Sequence, residues 1–403
     1  MGSQLSAASR FEQDGSILRF GQGAARVSVT VCTPRILRIE LAGEAPDAGP
    51  SYVDPRDWPG AAIHVDDGEP VRMVTADLGV EVSTATAPVR LAFLDPAGML
   101  LLHQPADGGM MVEPPAHGRA RVHASFAFTG EQHFYGLGQG GVQLDRLGVS
   151  RQLWNTHLGH GPGSDMGVPL LLSNRGYALF FDNPSDAQLT VGRSDNGVRI
   201  VYTAASGRLT WYFLIGRDLR AAMHEVAELL GHAPMPPRWA LGFLQSTRHF
   251  HDTAELRRLP RTIRDKRIPC DGLIYLSTYG EAHGWNRGVG HLEFQPDLWP
   301  DPAGLLAEAR DQHFELMTHE YPVLHEDSPL FAEAESRGYL LAAGYERVGE
   351  GARSPASYRE GQRYLDFSNA EVRRWWWAAH RDLVRVGVAG WWLDGGEGPP
   401  TTA

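Results

Sequence analysis

Gly390-Trp391-Trp392-Leu393-Asp394-Gly395-Gly396-Glu397 is an apolar run that ends in an acid and is followed by two glycines. A run this short, bounded by glycine, reads as a buried strand that delivers a carboxylate to its end. The glycines let backbone or ligand approach closely. Working back from this stretch, strands and helices alternate. Strands are predicted at 240–245, 272–277 and 315–320, with 390–394 as the fourth. Such alternation of βα units predicts parallel strands.

The intervening helices carry their own signals. Asp252-x-x-Glu255 predicts a capping box opening a helix towards Lys266, which Pro260 should kink or interrupt. Asp301-Pro302 is a good N-cap and N1 pair for a helix over Leu305, Leu306 and Ala309. Another helix is predicted around 372–383, with Asp366 as its N-cap. Three consecutive positions on a helix point in three directions, so Trp375-Trp376-Trp377 reads as packing and not as a sugar platform. A (β/α)8 barrel needs about 250 residues, and only 165 lie between Trp239 and Ala403 (239 to 403). The expectation is the first half of a TIM barrel, about four βα units, in a chain truncated within the barrel.

Towards the N-terminus the period changes from helical to alternating. Val27, Val29 and Val31 alternate with polar residues, and further strand-like runs fall at 71–75, 80–83, 89–94, 121–128, 169–173, 177–182, 188–191, 198–203 and 209–215. Many short strands separated by turn residues predict a large β-sandwich. Asp218 can cap a helix with the stripe Leu219, Ala222, Met223, Val226, Leu229 and Leu230, stopped by Gly231. Pro234, Pro236 and Pro237 then read as a stiff linker. The predicted organisation is an N-terminal β-sandwich at 1–217, a connecting helix and Pro-rich linker at 218–238, and a partial barrel at 239–403.

Composition narrows the partners. A net charge of -11 argues against nucleic acid and anionic membranes. No run approaches the ~20 apolar residues of a spanning helix, and the N-terminus lacks the basic-then-apolar pattern of a signal peptide. The resulting expectation is a cytoplasmic protein with no membrane partner. Cys32 and Cys270 are too few for a disulfide framework and read as buried thiols. Lys266 is the only lysine, which disfavours Schiff-base or carbamyl-lysine chemistry.

Several motifs in order resemble glycoside hydrolase family 31, the α-glucosidase and α-xylosidase family. They are Tyr135-Gly136-Leu137-Gly138 with Leu144-Asp145-Arg146-x-Gly148 and Trp154-Asn155-Thr156, then Pro169-x-x-x-Ser173-x-x-Gly176-Tyr177 with Phe181-Asp182-Asn183. Pro237-Arg238-Trp239-Ala240-Leu241-Gly242 with Gln245-Ser246 is similar to the start of that family's barrel. Trp299-Pro300-Asp301-Pro302, Asp366-Phe367-Ser368-Asn369 and Gly390-Trp391-Trp392-Leu393-Asp394 complete the series. The resemblance implies retaining hydrolysis of α-linked sugars, with a carbohydrate substrate, no cofactor and no metal. It implies Asp394 as nucleophile, Glu397 as an acid orienting its neighbours, and a general acid/base beyond Ala403. Trp154, Asn155, Thr278, His319 and Trp392 are the expected sugar contacts.

Two positions depart from the family pattern. Its second strand carries an Asp-x-Asp pair, and here Leu276 and Thr278 stand in those places. His157 follows Thr156 where the family often has Asp. The alternatives are therefore a non-catalytic carbohydrate-binding homologue, or transglycosylation or elimination on the same scaffold. His249-x-His251 is a rival metal signal that lacks the further histidines and lysine such barrels need. His157-x-x-His160 has no helix to align its rings, and Gly136-x-Gly138-x-Gly140 opens no clear helix, which disfavours a dinucleotide site.

Overall fold

Six apolar residues and Thr210 make up Leu209–Ile215, a strand in which every side chain is buried. Its two faces pack into different cores, which explains the lack of alternation. Leu209, Trp211, Phe213 and Ile215 enter the interior of a β-sandwich, while Tyr212 and Leu214 meet Val226 and Leu229 of helix α1 (Leu219–Leu230). The structure is a computed structural model. It describes residues 11–22, 25–42, 51–85, 88–113, 121–128, 130, 132–140, 143–153, 166–194, 197–278, 283–341 and 361–395. The chain divides into two units, Met1–Ala233 and Pro234–Ala403.

The first unit is the expected β-sandwich, with antiparallel sheets of eight and ten described strands. Aromatic rings fill the space between them. Trp211 stands edge-on to Phe126 at 4.9 Å, Phe93 stacks on Phe213 at 4.2 Å, and Phe181 stacks on Tyr202 at 4.1 Å. Helix α1 is capped as its sequence predicts. Ala221 N–H donates to the Asp218 carboxylate at 2.8 Å, and Gly231 N–H donates to the Ala227 carbonyl at 2.8 Å.

Two buried arginines clamp the glycine-rich loop after Phe134. Arg146 donates to the carbonyls of Gly136, Gly138 and Gly140, and Arg151 to that of Gly140 at 2.8 Å. Gly138 has a φ of +83°, and a Cβ there would lie 2.0 Å from the Met166 carbonyl oxygen. Gly148 has a similar φ of +85° with nothing within 4 Å. Gly138→Ala should therefore destabilise the unit by roughly 2–5 kcal/mol, adding a backbone clash to left-handed strain. Gly148→Ala should cost about 1–2 kcal/mol, from the strain alone. Urea unfolding of the two variants checks the contrast.

In the second unit, four parallel strands lie in sequence order, Leu244–Thr247, Gly272–Tyr275, Glu315–Glu320 and Gly390–Leu393. Helices α2 (Thr253–Asp265), α3 (Pro302–Asp311) and α5 (Ala370–Val386) alternate with them. Their shared core holds Leu256, Ile263, Leu273, Tyr275, Trp299, Leu305, Phe314 and Leu383. This is the start of a (β/α)8 barrel.

Several details differ from the sequence expectation. Residues Arg238–Leu241 form a turn of 3-10 helix, closed by Ala240 N–H to the Pro237 carbonyl, so the first strand begins at Leu244. Helix α2 continues through Pro260 without interruption, with Leu256, Pro260 and Ile263 buried on one face. That burial offsets the lost backbone bond. The N-cap of α5 is Asn369, whose side chain accepts from Glu371 N–H at 2.8 Å; Asp366 instead holds the preceding turn through Ser368 N–H at 3.0 Å. A hairpin of Val323–His325 with Gln362–Tyr364, and helix α4 (Phe331–Ser336), stand between the third strand and α5. Both cysteines are free and buried, and of the tryptophan run Trp376 is buried while Trp377 is exposed.

Candidate active site

A parallel sheet gathers the C-terminal ends of its strands at one edge, where barrel enzymes place their chemistry. In the second unit those ends carry Arg248, Ser277, His319 and Asp394. Register sets who meets whom: His319 lies opposite Trp392, and Glu320 opposite Leu393. Asp394 extends this ladder by one bond, its N–H donating to the Glu320 carbonyl at 2.9 Å.

Alternation along the strands then divides the side chains between two faces. Trp392 and Asp394 share the face of His319, whose ring is 5.6 Å from the Trp392 ring. Trp391 turns to the helix layer, 5.5 Å from the His380 ring, and Glu320 joins it there. Glu320 is a second acid at the strand ends, but with 3% of its side chain exposed and a bond to His380 it cannot serve a cleft.

Both oxygens of Asp394 are held. Oδ2 lies 3.0 Å from His319 Nε2, and Oδ1 accepts the Gly395 N–H at 2.8 Å. The carboxylate is nonetheless 39% exposed, while His319 is 2% exposed. An acid with fixed oxygens and an open side can attack a ligand, whereas one sealed in hydrocarbon could not. His319 is tied on every side: Nδ1 faces the Ser277 N–H at 3.3 Å, and its carbonyl accepts from Trp285 Nε1 at 2.8 Å and from the Ser277 hydroxyl. Burial holds the His319 ring below the usual histidine range against the pull of Asp394, and the Arg248 charge acts in the same direction as burial.

The other expected contacts fare differently. Thr278 has its hydroxyl engaged on both sides, donating to the Asn286 carbonyl and accepting from Gly284 N–H at 2.8 Å. Thr278 thus braces its own loop. Trp392 is 43% exposed on the Asp394 face. Trp154, Asn155 and Glu397 lie outside the described residues.

Arg248 and Tyr321 were not anticipated. Arg248 donates to the Tyr321 hydroxyl, and burial, followed by the Asp394 charge, raises that phenol above its ordinary value. Each directly follows a parallel strand, which was the available signal. Among the described residues no group of three or more His, Cys, Asp or Glu is placed to hold a metal ion. None of the described helices is long and apolar enough to cross a membrane.

Residues 26–189 match the glycosyl hydrolase 31 N-terminal galactose mutarotase-like domain, and residues 233–402 match the glycosyl hydrolases family 31 TIM-barrel domain. The chain belongs to glycoside hydrolase family 31. It is 26% identical over 275 residues to α-xylosidase XylQ of Lactiplantibacillus pentosus, covering 67% of this chain and 35% of that protein. It is also 26% identical over 272 residues to α-glucosidase 2 of Bacillus thermoamyloliquefaciens, covering 65% and 33%. A family 31 α-xylosidase from a soil metagenome, solved with xylose, superposes with a TM-score of 0.82 at 19% identity, covering 98% of this chain and 58% of that one. The chain thus spans about a third of the length of these curated relatives.

Proposed function

We propose that this chain carries the nucleophile side of a retaining α-glycoside hydrolase site, with Asp394 as the nucleophile. The observation behind this reading is the partly exposed Asp394 carboxylate at the end of a parallel strand, its oxygens fixed by His319 and Gly395. Retention needs a proton donor about 5–5.5 Å from the nucleophile. Neither Arg248, Ser277 nor the buried Glu320 fits that role. Trp392 lines the sugar face, with Trp154 and Asn155 as further sugar contacts and Glu397 orienting its neighbours. The substrate class is an α-linked sugar, as the names of the xylosidase and glucosidase relatives suggest.

A glycosyl fluoride needs no proton donor, because fluoride leaves with little help from an acid. Asp394 Oδ would bond to the anomeric carbon as the C–F bond breaks, and fluoride would depart with the bonding electron pair. Incubation of the 403-residue chain with 5-fluoro-α-xylosyl or 5-fluoro-α-glucosyl fluoride should give a single adduct, mapped to the Asp394 peptide by mass spectrometry. Sugar binding with no adduct would favour the non-catalytic homologue instead. The engaged Thr278 hydroxyl and the apolar Leu276 are the observations that keep that second reading in view. Product analysis would separate hydrolysis from transfer or elimination.

A further inference from the structure

We infer that His319 is a positioning residue for Asp394, holding the carboxylate with an Nε2–H whose place on the ring is dictated by the main chain just after the second strand. The inference rests on Asp394 being the nucleophile and replaces the expected sugar-contact role of His319. A main-chain N–H can only donate. The Ser277 N–H, 3.3 Å from Nδ1, therefore requires Nδ1 to be an unprotonated acceptor. The single ring proton of the neutral form is left on Nε2, facing Asp394 Oδ2 at 3.0 Å. A tautomer set by the partner of the opposite nitrogen is a general property of imidazole.

The ring cannot easily turn away. Tyr321 stands edge-on at 4.8 Å and Trp392 at 5.6 Å. The carbonyl of His319 is fixed from below by Trp285 and Ser277. Adding a second proton would set an Nδ1–H against the Ser277 N–H. Asp394, Arg248 and Tyr321 face the ring, and the Glu320 charge acts on it from the opposite side of the sheet. Burial and Arg248 oppose a second proton, while Asp394 and Glu320 favour it; the net direction is towards the neutral ring. One Asp394 oxygen is thereby held by a strand-anchored donor and the other by Gly395 N–H, so a lone pair can be aimed without fixing by the ligand.

The test separates positioning from sugar contact. His319→Phe keeps an aromatic ring but removes the donor and the acceptor; His319→Gln retains a donor at similar reach. With the 5-fluoro glycosyl fluoride, the maximal labelling rate of His319→Phe should fall about 10–100-fold, with the half-saturating probe concentration almost unchanged, and His319→Gln should recover part of the rate. A raised half-saturating concentration at an unchanged maximal rate would overturn the inference in favour of direct sugar contact. Independently, long-range 1H–15N spectra of the histidine-labelled chain should show the Nε2–H tautomer at His319, titrating below the usual histidine range. An Nδ1–H tautomer would overturn it too. If the wild-type chain takes no label, the nucleophile assignment falls, and the tautomer spectrum alone decides whether the Ser277–His319–Asp394 chain exists.

Discussion

Asp394→Asn should abolish covalent labelling by the glycosyl fluoride, with a rate loss of at least about 10⁴-fold, while the chain stays folded. Removing a nucleophile eliminates the step it performs, and losses of this order follow when such a group is deleted elsewhere. Asparagine is the informative replacement because it separates chemistry from architecture. Its carbonyl oxygen can still accept from His319 Nε2, preserving the 3.0 Å contact. Its amide nitrogen then faces the Gly395 N–H, so one hydrogen bond is lost, costing about 0.5–1.5 kcal/mol. Asp394→Ala would strand the Nε2–H of His319, which is 2% exposed, and should cost about 1–3 kcal/mol in addition to the chemistry. Intact-mass measurement of adduct formation, with urea unfolding of both variants, gives the two readouts. An Asp394→Asn chain labelled as fast as wild type would remove Asp394 from the nucleophile role.

Which parts of this site could be read from sequence follows from how local each feature is. The fourth strand and its terminal acid were legible because a short apolar run and its glycines are contiguous. Helix α1, from its Asp218 cap to its Gly231 stop, was legible for the same reason. Pro260 is a case where a local rule lost to packing, since three apolar positions on one helix face outweigh a missing N–H. Asp366 failed as the N-cap because Asn369, three residues on, also accepts main-chain N–H bonds and sits where the helix starts. The hairpin of Val323–His325 with Gln362–Tyr364 was not legible, because its strands have three residues each and pair across a long insertion. His319 was visible as a strand end, but its direction was not. Whether it meets Asp394 or the helix layer depends on a register, His319 opposite Trp392, between segments far apart in sequence.

The same register sends Glu320 the other way and yields the largest stability effect expected in the second unit. His380 of helix α5 donates from Nδ1 to the Trp376 carbonyl at 2.6 Å, and its Nε2 lies 2.8 Å from Glu320 Oε2. A carbonyl on one side and a carboxylate on the other call for a proton on both nitrogens. Burial alone would push the His380 pKa down, but the Glu320 hydrogen bond and charge outweigh it and raise it. Folded His380 therefore keeps its second proton to higher pH than the unfolded chain does. The stabilisation is complete below the unfolded value of about 6.5 and is lost as pH rises through the raised folded value, where the native state binds more protons than the unfolded one. Stability of this unit should fall across that interval in wild type, and the His380 contribution to the slope should vanish in His380→Ala. With the side chains 5% and 3% exposed, removing one partner leaves an uncompensated buried charge. Glu320 Oε1 already lacks a hydrogen-bond partner among the described residues, which adds to the burden. His380→Ala should cost about 3–5 kcal/mol near pH 6. The double variant His380→Phe with Glu320→Leu should recover most of it, since apolar replacement of a buried ion pair is often neutral. Urea unfolding between pH 5.5 and 8.5 supplies both comparisons. A loss below about 1 kcal/mol in His380→Ala, or a double variant no more stable than that single one, would show that the pair is not held as a buried ion pair.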